Sequence, residues 1–208
     1  MRNFFISDTH FGHNNIIKYC NRPFKTLDEM NETLIKNWNE RVKPEDTVFV
    51  VGDFCFKNSP AMIHRGEGHI HHASFYENKL NGKKIFIKGS HDNNNSCKTC
   101  VLRVLIRLGG KKINIAHDPK DAIAECDFNI VGHVHNNWKF KKVLRIGKTI
   151  YMINVGVDMW DFRPITIEEI LREFNKWNIE QNKKLSEKVV VKNDKQVSIL
   201  QKRITNNP

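Results

Sequence analysis

Acidic and imidazole side chains are grouped in this chain at five places: Asp8-Thr9-His10, Gly52-Asp53, Gly89-Ser90-His91-Asp92, His117-Asp118 and Gly132-His133-Val134-His135. Asp and His together can bind divalent cations, transfer protons, or both. In D-x-H and H-x-H the two side chains share one face of an extended segment, so both can reach a single ion. Ser90, His91 and Asp92 are the residue types of a serine-hydrolase triad. Triad members are brought together from separate places, however, and immediate neighbours on an extended backbone point to opposite faces. Singly, each group is common turn or core chemistry. Five in succession are not, because burying so many ionisable groups without a cation would be costly.

The elements that must position these groups are apolar runs that stop just before them. "RNFFIS", "TVFVVG", "KKIFIKG", "KKINIA" and "FNIVG" read as strands, each delivering its polar cluster at its carboxyl end. If the five strands share one sheet, the clusters meet on one rim, where α/β sheets bind ligands. "TLDEMNETLIKNWNERV" has helical spacing through Leu27, Met30, Leu34 and Trp38, with Thr26 as cap. A further helix is expected around 71–80, and another over "TIEEILREFNKWN" with Thr166 as cap. "CVLRVLIRLGGKKINIAHD" reads as two strands joined at Gly109-Gly110, and "FKKVLRIGKTIYMINVG" as a hairpin turning near Gly147-Lys148.

The 208 residues are enough for one domain with a sizeable core. No apolar run reaches the length of a membrane span, and the amino terminus lacks the core of a signal peptide. Five cysteines form an odd set, which fits a reduced, cytoplasmic setting. Cys97 and Cys100 form a single C-x-x-C, read as ordinary thiols in preference to a zinc or redox pair. The formal charge of +11 favours anionic partners such as phosphate esters or nucleic acid. Seven Lys or Arg against three acidic residues from Glu180 to Pro208 put part of that excess in the tail. We therefore expect a catalytic domain over 1–177 and a basic extension over 178–208.

Read in order, "SDTH", "GDF", "GSHD", "IAHD" and "GHVH" resemble the signature of the calcineurin-like metallophosphoesterases, over roughly residues 4 to 170. "SDTHFGHNNII" and "NVGVDMWDFRPI" are similar to a small bacterial and phage-type branch without a cap domain. The resemblance implies an αββα sandwich of two mixed sheets flanked by helices. It implies two divalent transition-metal ions, manganese first and iron, zinc or nickel as alternatives. Asp8, His10, Asp53 and His135 would hold one; Asp53 would bridge to the other, held also by His117 and His133. The implied reaction is in-line attack by a metal-bridging hydroxide on a phosphodiester or small nucleotide-like phosphate. His91 would assist the leaving group and Asp92 would orient His91. The family has Asn where this chain has Ser90, a shorter and poorer ligand that would weaken the second site.

Ser90 and His13 are expected to contact substrate, and Arg22 to bind phosphate or lie on the surface. His64, His69, His71 and His72 form a patch beside the Asp53 loop. Asn154 is expected to support the GHVH loop, and Trp160 to cover the site or pack. A nuclease acting on nucleic acid and a non-catalytic scaffold of the same fold are the competing readings.

Overall fold

Alternate residues of the first two apolar runs face opposite ways, as a strand period requires. Phe4, Ile6, Val48 and Val50 join a buried cluster with helical Leu27, Met30, Leu34 and Trp38. On the other face Phe5 stacks on Phe49, with ring centroids 5.3 Å apart. In the computed structural model, residues 1–56, 72–92 and 101–184 are described. The strands are β1 (Asn3–Ile6), β2 (Thr47–Val51), β3 (Lys83–Ile87), β4 (Arg103–Leu108), β5 (Lys111–Ala116), β6 (Phe128–Val131), β7 (Phe140–Arg145), β8 (Lys148–Asn154) and β9 (Ile165–Thr166). The helices are α1 (Asn14–Tyr19), α2 (Leu27–Asn39) and α3 (Ala73–Lys79).

These strands form two mixed sheets, ordered β3-β2-β1-β9 and β4-β5-β6-β8-β7. In the first, β1, β2 and β3 run parallel and β9 opposes β1. In the second, β5, β6 and β8 run parallel, with β4 and β7 antiparallel at the two edges. The sheets face each other and helices flank them, giving the αββα sandwich. Thr26 caps α2, its Oγ1 accepting the Glu29 N–H at 3.1 Å. Thr166 and Glu169 form a capping box at the start of the next helix.

One expectation needs correction: the five strands do not share a sheet. β1, β2 and β3 belong to the first, β5 and β6 to the second. The rim is still shared, because the sheets meet where these strands end. Ser7 forms a parallel bridge with Gly156, just beyond β8, and its N–H donates to Val155 O at 3.0 Å. β1 and β2 also keep pairing past their ends, with Asp8 N–H to Gly52 O at 3.1 Å and His10 N–H to Asp53 O at 3.0 Å.

The chain divides into two compact units, residues 1–170 and 171–208. Within the second, residues 171–184 are helical. Cys97, Cys100, His64, His69, His71 and the chain beyond residue 184 lie outside the described residues, whereas His72 stands at the N-cap of α3. Among the described residues no helix is long and apolar enough to cross a membrane.

Candidate metal centre

The backbone itself marks this rim. Among the described residues nine non-glycine positions have positive φ, and five of them are Asp8, His10, Asp53, His133 and His135, at 57°, 50°, 51°, 72° and 47°. A left-handed conformation costs an L-residue on the order of 1–3 kcal/mol, and such residues gather where function over-determines geometry.

The result is two groups of ligand atoms. Those of Asp8, His10 and His135 lie within 4.8 Å of one another, and so do those of Asp53, His117 and His133. Asp53 Oδ2 stands between the groups, 3.6 Å from His10 Nε2 and 3.3 Å from His117 Nε2. The space is tight enough to exclude a Cβ at two glycines. At Gly89 it would collide with Asp53; at Gly132 it would collide with Ser7 Oγ and come within 2.7 Å of Asp8 Oδ2.

The fit to cations can be tested on the imidazoles. His10 is 1 % exposed and neither ring nitrogen has a hydrogen-bond partner; His117 Nε2 is likewise buried without one. Close as it is to Asp53, His117 Nε2 is not aligned as a hydrogen bond. Its Nδ1 lies 2.9 Å from Val51 O, which leaves Nε2 for the cluster. His135 is built the same way: Nδ1 is 3.1 Å from Asp158 Oδ2, and Nε2 is 4.0 Å from Asp8 Oδ1. Imidazoles fixed through one nitrogen and offering the other are the usual form of a metal-binding histidine. The residues present fit divalent-cation binding.

Electrostatics agree. Burial pushes the Asp8 carboxyl up, offset only in part by His117 and His135. Burial acts the same way on Asp53, but His117, His10 and the His91 N–H outweigh it and hold the group well below the usual range. His117 is pushed up to about 9, Asp53 and Asp8 overcoming desolvation. His135 is pushed up to about 10 against desolvation, chiefly by Asp158. His10 goes the other way, well below its ordinary value, because burial dominates.

The remaining candidates surround these groups. His91 is exposed on the rim, its ring 5.1 Å from that of His10, and its backbone N–H donates to Asp53 Oδ1 at 2.8 Å. Ser90 Oγ lies 3.1 Å from Asp53 Oδ2 and 3.4 Å from Oδ1. Asp92 accepts backbone N–H groups of Asp53, Gly89 and Phe54 at 2.9, 2.8 and 3.2 Å. Those bonds tie the β3 loop to the β2 loop. His13 stacks on Phe56, with centroids 3.9 Å apart, and is 7 % exposed. Burial, then His91, lowers it to about 4. Asp118 serves locally, accepting from the N–H and the ammonium of Lys120 at 2.8 and 2.9 Å.

Arg22 corrects its expectation, being neither on the surface nor offered to phosphate. It is 5 % exposed, and its guanidinium grips both oxygens of Asp158 at 2.8 and 3.1 Å and donates to Asp8 O at 2.7 Å and Thr9 O at 3.1 Å. Asp158 was missed. Its signal was an acid two residues past "NVG", which spacing alone could not join to Arg22, 136 positions earlier. Cys20, His135 and Asp158 also lie together, but a carboxylate already held by a guanidinium is a poor cation ligand. Asn154 does support the loop, with Nδ2 donating to His135 O at 2.7 Å and Trp138 O at 2.9 Å. Trp160 packs at 4 % exposure, and its Nε1 donates to Asn154 O. A cleft of about 480 Å³ opens beside Asp53, His117 and His133, lined in part by Lys88, Ser90, Arg103 and Lys120.

No family model matches the chain. Among solved structures, the protein of unknown function AQ665 from Aquifex aeolicus aligns with a TM-score of 0.61 and 27 % identity, over 82 % of this chain and 98 % of that one. Yfce, a phosphoesterase from E. coli, aligns at only 0.43 and 15 % identity, over 80 % and 82 %, too loosely to carry an argument. The uncharacterized protein MJ1445 from Methanocaldococcus jannaschii is 36 % identical over 179 residues, spanning 85 % of this chain and 93 % of its own. This chain and MJ1445 therefore belong to one family.

Proposed function

We propose that the protein is a calcineurin-like, metal-dependent phosphoesterase acting on phosphodiesters or small nucleotide-like phosphates. The observation that carries this reading is the pair of three-ligand groups that Asp53 Oδ2 joins, five of their six residues being in left-handed backbone. Nitrogen and carboxylate donors without thiolate suit manganese, iron, zinc or nickel. Bound there, such cations supply Lewis acidity and lower the pKa of a coordinated water toward neutrality.

The chain's own residues do the rest. Asp8 and Asp53 provide the negative charge that favours cations over protons once the histidines are neutral. Val51 O and the Asp158 carboxylate fix which nitrogens of His117 and His135 face inward. His91 stands on the open side of the rim, held through its backbone to Asp53. From there its imidazole can give a proton to a departing ester oxygen or offset its charge. Lys88 and Arg103 line the adjoining cleft and favour an anionic substrate. Its proposed setting is the cytoplasm, which the odd set of five cysteines favours.

The test is hydrolysis of an activated aryl phosphodiester by metal-stripped protein, with manganese, iron, zinc or nickel restored one at a time. Turnover with at least one metal, lost in His10→Ala and sharply lowered in His91→Ala with metal binding retained, is the expected result. No turnover with any metal, in both this chain and Ser90→Asn, would overturn the enzyme reading and leave a metal-binding scaffold.

A further inference from the structure

The β7–β8 hairpin leaves the GHVH loop and carries features the site does not use. Lys139, Lys141, Lys142, Arg145 and Lys148 fall within ten residues that contain no acid. β7 is an edge strand, and Lys on an edge is a common guard against strand pairing. That guard does not explain the tip. Leu144 is 76 % exposed and Ile146 is 96 % exposed. Arg145 pairs with Lys148, so the loop has two residues, Ile146 and Gly147, both left-handed at φ 49° and 71°. Such loops favour Asn-Gly, and a β-branched side chain there is strained. An aliphatic residue that is both strained and bare gains its keep only from a partner that covers it.

One face of the ribbon packs on the body through Val143, Ile150 and Met152, and Lys148 pairs with Glu125 at 3.2 Å. Lys141 and Arg145 lie opposite Met152 and Lys148, and Lys142 lies opposite Tyr151 on the other face. Lys141, Lys142 and Arg145 are nevertheless exposed, and cations along the outer side and edge of a ribbon suit a phosphate backbone lying across it. Nearer the site, Lys139 Nζ sits 3.6 Å over the Trp160 ring. Six residues of β7 at about 3.4 Å each place the tip about 20 Å from the end of the GHVH loop.

We propose that the β7–β8 ribbon is a nucleic-acid-binding arm: Lys141, Lys142 and Arg145 contact phosphates, and Ile146 wedges into a groove or against a base. Aliphatic wedges against bases are a recurrent device of proteins that lie along a duplex. The choice of a polynucleotide over another polyanion rests on the phosphoesterase reading, since the arm starts at that site.

The test uses the full chain in EDTA, so that binding is read without turnover. Anisotropy of labelled single- and double-stranded oligonucleotides is followed across a potassium chloride series. For the duplex, Lys141→Gln, Lys142→Gln and Arg145→Gln together are expected to flatten the log–log salt slope by about 2.7, or about 0.9 per phosphate contact. Ile146→Asn relieves the turn and is expected to raise the melting temperature, yet weaken binding about tenfold as one buried aliphatic side chain is lost. Binding that neither change alters would overturn the proposal, as would capture by phosphatidylserine vesicles in place of oligonucleotides. Oligonucleotide binding with these mutant effects, but no cleavage of any phosphodiester with metals restored, would leave the arm standing and sink the phosphoesterase reading. Cleavage of the aryl diester without oligonucleotide binding would do the reverse.

Discussion

Replacing Asp158 with Ala separates the layer behind the site from the site itself. The Arg22 and Asp158 side chains are 0 % and 3 % exposed and meet at 2.8 Å. Removing the carboxylate leaves a guanidinium in the interior with the carbonyls of Asp8 and Thr9 and the weakly accepting Met30 sulfur to satisfy it. Breaking a buried pair from one side costs about 3–5 kcal/mol; those two carbonyls place this case near 3. For a chain of this size that lowers the melting temperature by about 6–12 °C. His135 also loses the group that fixes its Nδ1, and losing such a support weakens metal binding by about 10- to 100-fold. Asp158→Asn keeps an acceptor of the same shape, so both effects should shrink without vanishing. The assay is thermal unfolding in EDTA, followed by calorimetric titration of the stripped protein with manganese or zinc. A metal-free Asp158→Ala protein that melts with the parent and binds metal equally well would refute the chain of reasoning from Arg22 to His135.

Other outcomes follow from the same geometry. Gly132→Ala places a methyl against Ser7 Oγ and Asp8 Oδ2; a cost of about 1–3 kcal/mol and weakened metal binding are expected by unfolding and titration. Ser90 Oγ, 3.1 Å from Asp53 Oδ2, occupies an oxygen a cation would use, whereas an amide carbonyl can ligate. Ser90→Asn should therefore raise turnover in the aryl diester assay, and an unchanged or lower rate would count against it. The pH response has a definite sign. His117 and His135 have folded values of about 9 and about 10, above the ordinary 6.5. Their contribution to metal-free stability is whole below about 6.5 and lost as pH rises through 9 and 10. Metal binding must displace those protons, so affinity should climb with pH between 7 and 9 while the metal-free melting temperature falls. A flat affinity over that range would contradict the protonated state of the pair.

Much of the architecture is written in local pattern. The apolar runs that end at Asp8, Asp53, His117 and His133 became strands at those places, because β-branched and aromatic residues flanked by glycine turns leave few alternatives. Leu27, Met30, Leu34 and Trp38 form one buried helical face for the same reason. Shorter elements carried too little pattern to be read: α1 has six residues and β9 two.

Sequence alone determined which residues gather, because a strand delivers its polar cluster at its end wherever that strand is placed. Only the tertiary structure decided that the clusters come from two facing sheets, that Asp53 stands between two ligand groups, and that Arg22 and Asp158 lock His135 from behind. The physical reason is range. Strand and helix periods act over a few residues, whereas the approach of Arg22 to Asp158 or of Asp53 to His117 is set by how whole sheets pack, and no spacing along the chain encodes it.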